Sequence, residues 1–140
     1  YEVHGSIHHW QCLKDCSQDL WPAPKSLMPV DTQACALLGE LPRCPACARL
    51  ARPNILMFSD SVWQERRSQR QALRYQQWLD EPGDLVIVEV GAGTDIPTCR
   101  WESEGLDGQL IRINLREADC PHGGISIAMG GAEALARLLG

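Results

Sequence analysis

Four cysteines in two close pairs carry the strongest chemical signal in the sequence. Three residues separate Cys12 from Cys16, two separate Cys44 from Cys47, and residues 17–43 lie between the pairs. Two thiolate pairs joined by a loop form a tetrahedral zinc site when the loop folds back. Four thiolates leave no coordination position open, so the predicted Zn²⁺ is structural. The alternatives are four ordinary free thiols, or three of these cysteines with one other ligand, namely His8, His9 or Cys35.

The first third of the chain has the composition of a small module held together by a metal. Residues 1–53 contain five of the seven cysteines, three of the four histidines and six of the nine prolines, with little apolar periodicity. Such a segment gains its folding free energy from metal binding. We therefore expect a loop-rich zinc-binding module at residues 8–51. An odd number of cysteines suits a metal better than a disulfide framework, and it predicts a reducing, cytoplasmic setting.

The rest of the chain has the pattern of an α/β fold. A β-branched run over residues 85–90 leads into the glycine turn Gly91-Ala92-Gly93-Thr94, and a second apolar run covers residues 110–114. Strand, glycine turn, connection and strand together predict a parallel βαβ unit. The sequence also predicts four further elements: a buried or half-buried strand at 54–58, a helix at 61–79, a short strand at 125–129 and a closing helix at 132–139.

Two further features are open to a chemical interpretation. The turn at Gly91 and Gly93 can bring backbone N–H groups close to a phosphate or a ribose, or it can simply end a strand. It is not the full GxGxxG pattern, because position 96 is not glycine. His4, within Val-His-Gly-Ser, is either a reactive imidazole or a structural or exposed one.

Charge and hydropathy argue against two classes of partner. The net charge is -5 at pH 7, whereas nucleic-acid-binding domains usually carry a basic face. The one basic cluster, Arg66, Arg67, Arg70 and Arg74, has nearly helical spacing and is interpreted as a solvated helix face. No stretch approaches the roughly 18 apolar residues of a membrane span, so we expect no membrane partner. The start of the chain lacks the pattern of a signal peptide.

The motifs occur in the order found in sirtuins. His4-Gly5-Ser6 resembles their "HGS" block, the cysteine pairs resemble their paired "CxxC" blocks, and residues 52–58 resemble "RPxVVxFGE". Residues 86–94 look like the strand and "GTS" turn, and residues 111–114 look like the strand that ends in an asparagine holding the adenosine ribose. The resemblance implies the C-terminal part of a Rossmann-like parallel sheet, formed by residues 1–7 and 52–140, beside the zinc module.

The same resemblance implies an activity. Sirtuins are NAD-dependent protein-lysine deacylases, transferases that consume NAD⁺ and release nicotinamide and O-acyl-ADP-ribose. His4 matches their general base, a role that suits an imidazole titrating near neutral pH. Ile55, Leu56 and Phe58 would line the acyl-lysine tunnel, and the backbone after Phe58 would pair with the substrate peptide. The residues expected to face the cofactor are Gly91, Ala92, Gly93, Asn114, Met129 and Gly130.

The sequence departs from the sirtuin pattern at four places. The first cysteine pair has three intervening residues, Ser59-Asp60 replaces Gly-Glu, and Ala92-Gly93 replaces Thr-Ser. No "GAGxS" or "TQNxD" block precedes His4. We therefore expect this chain alone to be inactive, and to act with the N-terminal half of the same protein or with a complementing chain. The alternative function is a non-catalytic, zinc-stabilised module that binds a peptide or a nucleotide.

Overall fold

Residues 1–25 and 28–140 are described by the computed structural model. They divide into two units, Tyr1–Glu81 and Pro82–Gly140. None of the helices in these two ranges is long and apolar enough to cross a membrane.

The first unit is built on a small antiparallel sheet. Strand β1 (Gly5–Cys12) lies between β2 (Trp21–Pro22) and β5 (Ala51–Ile55), and a separate hairpin consists of β3 (Val30–Asp31) and β4 (Ala36–Leu37). Pro53 is tolerated in β5 because this strand is at the edge of the sheet, where one row of backbone groups needs no partner. The pairing of β1 with β5 joins the two ends of the zinc module, since Cys12 lies opposite Ala51.

Two predicted boundaries in this unit are wrong. The strand predicted at 54–58 ends at Ile55, and Phe58 is 85% exposed rather than buried. The chain turns there, with Ser59 at a φ of 56°. The helix predicted from residue 61 is α1 (Arg66–Leu79). It begins late because the backbone N–H and carbonyl of Gln64 are bonded to buried side chains instead of to a helical turn.

The second unit contains the predicted parallel sheet. Strands β6 (Val86–Val90), β7 (Gln109–Ile113) and β8 (Ile125–Ile127) lie in that order, and all are parallel. Helix α2 (Thr98–Gly105) connects β6 to β7, and α3 (Gly131–Leu139) follows β8. The α/β fold class and the parallel pairing of the two β-branched runs are confirmed. Strand β8 is two residues shorter than its predicted range, 125–129.

A buried ion pair lies inside this unit. The side chain of Arg112, on β7, is 1% exposed and pairs with Glu89 on β6. It also bonds Glu104 at 2.7 Å and the backbone carbonyl of Asp119 at 2.6 Å. Burial raises the pKa of Glu89, but the hydrogen bonds and charge of Arg112 outweigh it, so the net pKa lies below its ordinary value. The pair is therefore charged at neutral pH and links two neighbouring strands.

Candidate functional site

The four predicted ligand thiols converge at one point of the first unit. Their Sγ atoms all lie within 4.8 Å of one another. The distance is 3.7 Å between Cys12 and Cys47 and 3.6 Å between Cys16 and Cys44. Four sulfurs arranged tetrahedrally around zinc at about 2.3 Å are roughly 3.8 Å apart. The cluster therefore has the donor type and the spacing of a tetrahedral zinc site.

Tight turns position both cysteine pairs. Cys12 is the last residue of β1, and the chain then reverses through Asp15, whose φ is 49°. In the second pair, the N–H of Cys44 donates to the carbonyl of Arg49 at 2.7 Å, and the N–H of Ala48 donates to the carbonyl of Cys44 at 2.9 Å. Ala48 also has a left-handed φ, 55°. Each turn folds one pair of sulfurs toward the same centre.

The electrostatics of the cluster favour a bound cation. The backbone N–H of Cys16 donates to the sulfur of Cys12 and lowers the pKa of that thiol to about 6. The pKa of Cys16 is raised to about 12, chiefly by the neighbouring thiols of Cys47, Cys12 and Cys44. Four thiols so close together cannot all ionise unless a positive charge lies among them. A divalent cation that prefers thiolate ligands meets this requirement.

The alternative ligand sets are not formed. Within residues 1–25 and 28–140, the metal-binding cluster consists of these four cysteines, and His8, His9 and Cys35 lie outside it. The residues present therefore fit a closed, structural Zn²⁺ site.

His4 lies next to the segment predicted to contact acyl-lysine. It immediately precedes β1, and its carbonyl accepts a hydrogen bond from the N–H of Leu56 at 2.9 Å. The next residue, Gly5, pairs with Ile55. Gly5 has a φ of 85°, and a Cβ there would lie 2.0 Å from the carbonyl oxygen of Asn54. Only glycine fits, so the His-Gly sequence allows the strand to approach this closely.

The glycine turn of the second unit borders a cleft of about 550 Å³. Parallel strands present their carboxyl ends on one edge, and the cleft lies there, beyond β6, β7 and β8. Of the six residues predicted to face the cofactor, four line this cleft and two, Ala92 and Met129, are not among its lining residues. The four are Gly91, Gly93, Asn114 and Gly130.

The side chain of Asn114 joins two loops of the cleft. Its Nδ2 donates to the carbonyl of Ala92 at 3.0 Å, and its Oδ1 accepts from the N–H groups of Arg116 and Glu117 at 3.0 and 3.1 Å. Through these three hydrogen bonds, the side chain of Asn114 positions the turns around the cleft.

Two residues that sequence reasoning missed make polar contacts at the cleft: Glu117, which lines it, and Arg100, which bonds two of its loops. The carboxylate of Glu117 accepts hydrogen bonds from the N–H of Thr94, at 3.3 Å, and from its hydroxyl. These bonds hold the pKa of Glu117 below its ordinary value. Arg100 donates to the carbonyls of Ala92 and Glu117 at 3.1 and 3.0 Å. The usable signal was the position of Glu117, three residues after the asparagine that ends a parallel strand.

Two curated relatives are similar to this chain. An NAD-dependent protein deacylase from Pyrococcus abyssi is 26% identical over 119 residues, which cover 84% of this chain and 43% of the relative. An NAD-dependent protein deacylase from Thermococcus sibiricus is 27% identical over 121 residues, covering 84% of this chain and 42% of the relative. The sirtuin resemblance is confirmed. No family model matches the chain, and the chain spans less than half the length of either relative.

The geometry explains two departures from the sirtuin pattern. Ser59 occupies the position where that pattern has glycine, and its φ of 56° lies in the left-handed region that glycine enters without strain. Asp60 occupies the position of the usual glutamate, and it forms an ion pair with Arg52 at 2.6 Å. Both Oδ atoms of Asp60 also accept backbone N–H groups, from Met57 at 3.4 Å and Val62 at 3.3 Å. Asp60 therefore ties the turn after Phe58 to Arg52 of β5 and to the backbone on both sides.

Proposed function

We propose that this chain contributes the zinc-binding module, the general base and part of the NAD⁺ cleft to a sirtuin-type protein-lysine deacylase. The observation that carries the proposal is the hydrogen bond between His4 and Leu56, 2.9 Å long. Residues that the sirtuin pattern assigns to the base and to the acyl-lysine tunnel are far apart in the sequence and adjacent in the fold. The similarity to two NAD-dependent protein deacylases supports the same activity.

In this proposal, His4 is the general base. Bound NAD⁺ would supply the ribose carbon that takes the acyl oxygen, and with one molecule of water the reaction would yield nicotinamide, free lysine and O-acyl-ADP-ribose. The imidazole of His4 accepts a proton from a ribose hydroxyl, because a neutral imidazole nitrogen can act as a general base. General-base assistance of this kind contributes on the order of 10²- to 10⁴-fold to a rate.

Residues 55–58, from the last residue of β5 onward, receive the acylated lysine. Ile55 is half-buried, whereas Leu56 and Phe58 present exposed apolar side chains. Apolar side chains suit the methylene stem of lysine and its acyl group. The backbone after Phe58 turns at Ser59 and adds the substrate peptide as an extended strand.

The cleft beside Gly91 in the second unit holds the nucleotide part of NAD⁺. Gly91, Gly93 and Gly130 allow close approach to backbone groups. Gly131 begins α3, and the first N–H groups of a helix carry a partial positive charge that favours an anionic group. Asn114 fixes the turns on either side.

Four cysteines would hold Zn²⁺ apart from this chemistry: Cys12, Cys16, Cys44 and Cys47. A site with four thiolates has no open position for substrate. The metal therefore stabilises the module, and the bond changes take place elsewhere.

The test replaces His4 in the full-length protein. With an acetyl-lysine peptide and NAD⁺, His4→Ala should lower nicotinamide release by at least about 100-fold, the lower end of general-base effects. Zinc content should be unchanged, because His4 is outside the metal cluster. His122→Ala, an exposed histidine of the second unit, is the matched control and should keep normal turnover. Normal turnover of His4→Ala would instead favour a non-catalytic module that binds a peptide or a nucleotide.

A further inference from the structure

Three buried amide side chains join the zinc module to the residues that precede α1. Gln11 and Asn54 are 0% exposed and Gln64 is 2% exposed. We call these three residues the amide network, and residues 61–65 the pre-helix segment. A buried amide donor or acceptor costs free energy when it is unpaired, so the hydrogen bonds that the network forms constrain the groups it contacts. Among the described residues, Asn54 Oδ1 and Gln64 Oε1 have no hydrogen-bond partner.

One side of the network fixes the backbone of the pre-helix segment. Gln11 Nε2 donates to the carbonyl of Val62 at 2.8 Å, and Gln11 Oε1 accepts the N–H of Gln64 at 3.1 Å. Asn54 Nδ2 donates to Gln11 Oε1 at 2.8 Å and to the carbonyl of Gln64 at 3.0 Å. These bonds replace the helical bonds that the segment would otherwise form.

The other side of the network reaches the turn between the first two cysteines and just beyond it. The Nε2 of Gln64 donates to Oδ1 of Asp15 at 2.9 Å and to the carbonyl of Ser17. Asp15 and Ser17 flank Cys16 in the sequence. This turn lies outside any strand or helix, Cys16 is exposed, and Asp15 has a left-handed φ of 49°. A metal bound by Cys16 would therefore supply much of the order of the turn.

We propose that Gln64 is a positioning residue that makes the order of the pre-helix segment depend on the metal bound by the four cysteines. When the metal leaves, the turn at Cys16 loosens and the side chain of Gln64 loses its acceptors. A buried amide without partners destabilises the arrangement that holds it, so the segment opens. The consequence for acyl-lysine binding rests on the proposed function, because the segment directly follows Ser59 and Asp60.

The coupling should be local. Leu56 is held by the sheet, through its N–H bond to the carbonyl of His4 at 2.9 Å. Asp60 is held by Arg52 at 2.6 Å. Neither contact involves the amide network. Metal removal should therefore affect the amide of residue 64 and spare the amide of Leu56.

Hydrogen exchange measured by NMR tests this without NAD⁺ or peptide, so its outcome is independent of the proposed function. In the zinc-loaded wild type, we expect protection of the residue 64 amide to fall about tenfold or more on chelation, the scale of one lost buried hydrogen-bond partner. In zinc-loaded Gln64→Ala, the same amide should already exchange as fast as in the metal-free wild type. Gln77→Ala, an exposed glutamine on α1, should behave as the wild type.

A second variant changes the residue that the amide network contacts in the turn before Cys16. Asp15→Ala removes the acceptor of Gln64 at an exposed position, and it leaves every side chain of the amide network in place. It should weaken the response of residue 64 to chelation. Because coupling free energies are reciprocal, both variants should also lower the affinity for zinc by a similar factor, as measured by equilibrium competition with a chelator.

Three results would overturn the proposal. The first is an unchanged amide at residue 64 after the wild type loses its metal. The second is wild-type protection in both zinc-loaded variants. The third is simultaneous loss of protection at Leu56, residue 64 and Gln69 of α1, since the unit would then unfold as a whole and Gln64 would carry no specific coupling.

Discussion

The two units of this chain stabilise their buried polar and charged side chains in different ways. In Tyr1–Glu81 the buried side chains include the amide network and two of the four clustered thiols. In Pro82–Gly140 the buried charge of Arg112 is neutralised by Glu89, which the same unit supplies. The thiol cluster of the first unit would need an external cation to ionise fully, whereas the buried charge of Arg112 is met by a carboxylate of its own unit. Substitutions in each unit can test this difference.

Cys44→Ser should have the largest effect, and it should be confined to the first unit. The thiol of Cys44 is buried and belongs to the cluster. Its loss should reduce bound zinc from about one ion per chain to nearly none and loosen the two cysteine turns, since the metal provides folding free energy in such modules. Elemental analysis measures the zinc, and amide protection of Gln109–Ile113 should stay unchanged. Cys35→Ser is the control, because Cys35 lies outside the cluster. Retention of zinc by Cys44→Ser would contradict the assignment.

Arg112→Met should have the next largest effect, in the second unit. It leaves Glu89 buried without its partner, which costs about 3–5 kcal/mol. Urea unfolding followed through the NMR signals of Gln109–Ile113 measures the loss, and zinc content should not change. Arg137→Met removes an exposed pair with Glu133 and should change the free energy of unfolding by less than about 1 kcal/mol. Equal effects of the two substitutions would show that burial of the pair is unimportant.

The same ion pair should make the second unit sensitive to acid. The pKa of Glu89 is depressed below its ordinary value of 4.5 in the folded state. A depressed carboxyl contributes stability that is present above pH 4.5 and is lost as the pH falls through the folded pKa. Glu89→Gln should be less stable at neutral pH, and its stability should converge with that of the wild type in acid. Urea titrations between pH 7 and about pH 3 measure this. Parallel curves for the two proteins would refute it.

The features predicted correctly from the sequence are those with a strong local pattern. Two cysteine pairs predict one cluster because the ligand type and the spacing are chemical requirements. The β-branched run at Val86–Val90 and the run at Gln109–Ile113 predict parallel strands because a glycine turn and a connection lie between them. In both units, the features that the sequence predicts are therefore those encoded by short motifs.

The features that were missed depend on contacts across the sequence. Strand β1 was not predicted, because its pairing with β5 uses residues 39 to 50 positions away. The late start of α1 was missed because Gln11 and Asn54 bond the backbone of Gln64. Phe58 was predicted to end a buried or half-buried strand because it belongs to an apolar run, although the chain turns immediately after it. Buried amides and arginines have no sequence signature, since the same residues are common on surfaces.

The smallest effect should come from the glycine turn, where two substitutions in the second unit should differ in sign. Gly91 has a φ of 71° with open space around it, so an added methyl group meets no neighbour but forces a strained backbone. Gly91→Ala should lower the free energy of unfolding by roughly 1 kcal/mol. Gly105 is the last residue of α2, also with open space and without a left-handed φ. Gly105→Ala should raise stability by about 0.5–1 kcal/mol, because alanine loses less conformational entropy in a helix. Urea unfolding of the two variants measures both changes. If both stabilised the unit, the left-handed turn at Gly91 would not be formed in solution, and the cleft beside it would lose one of its lining loops.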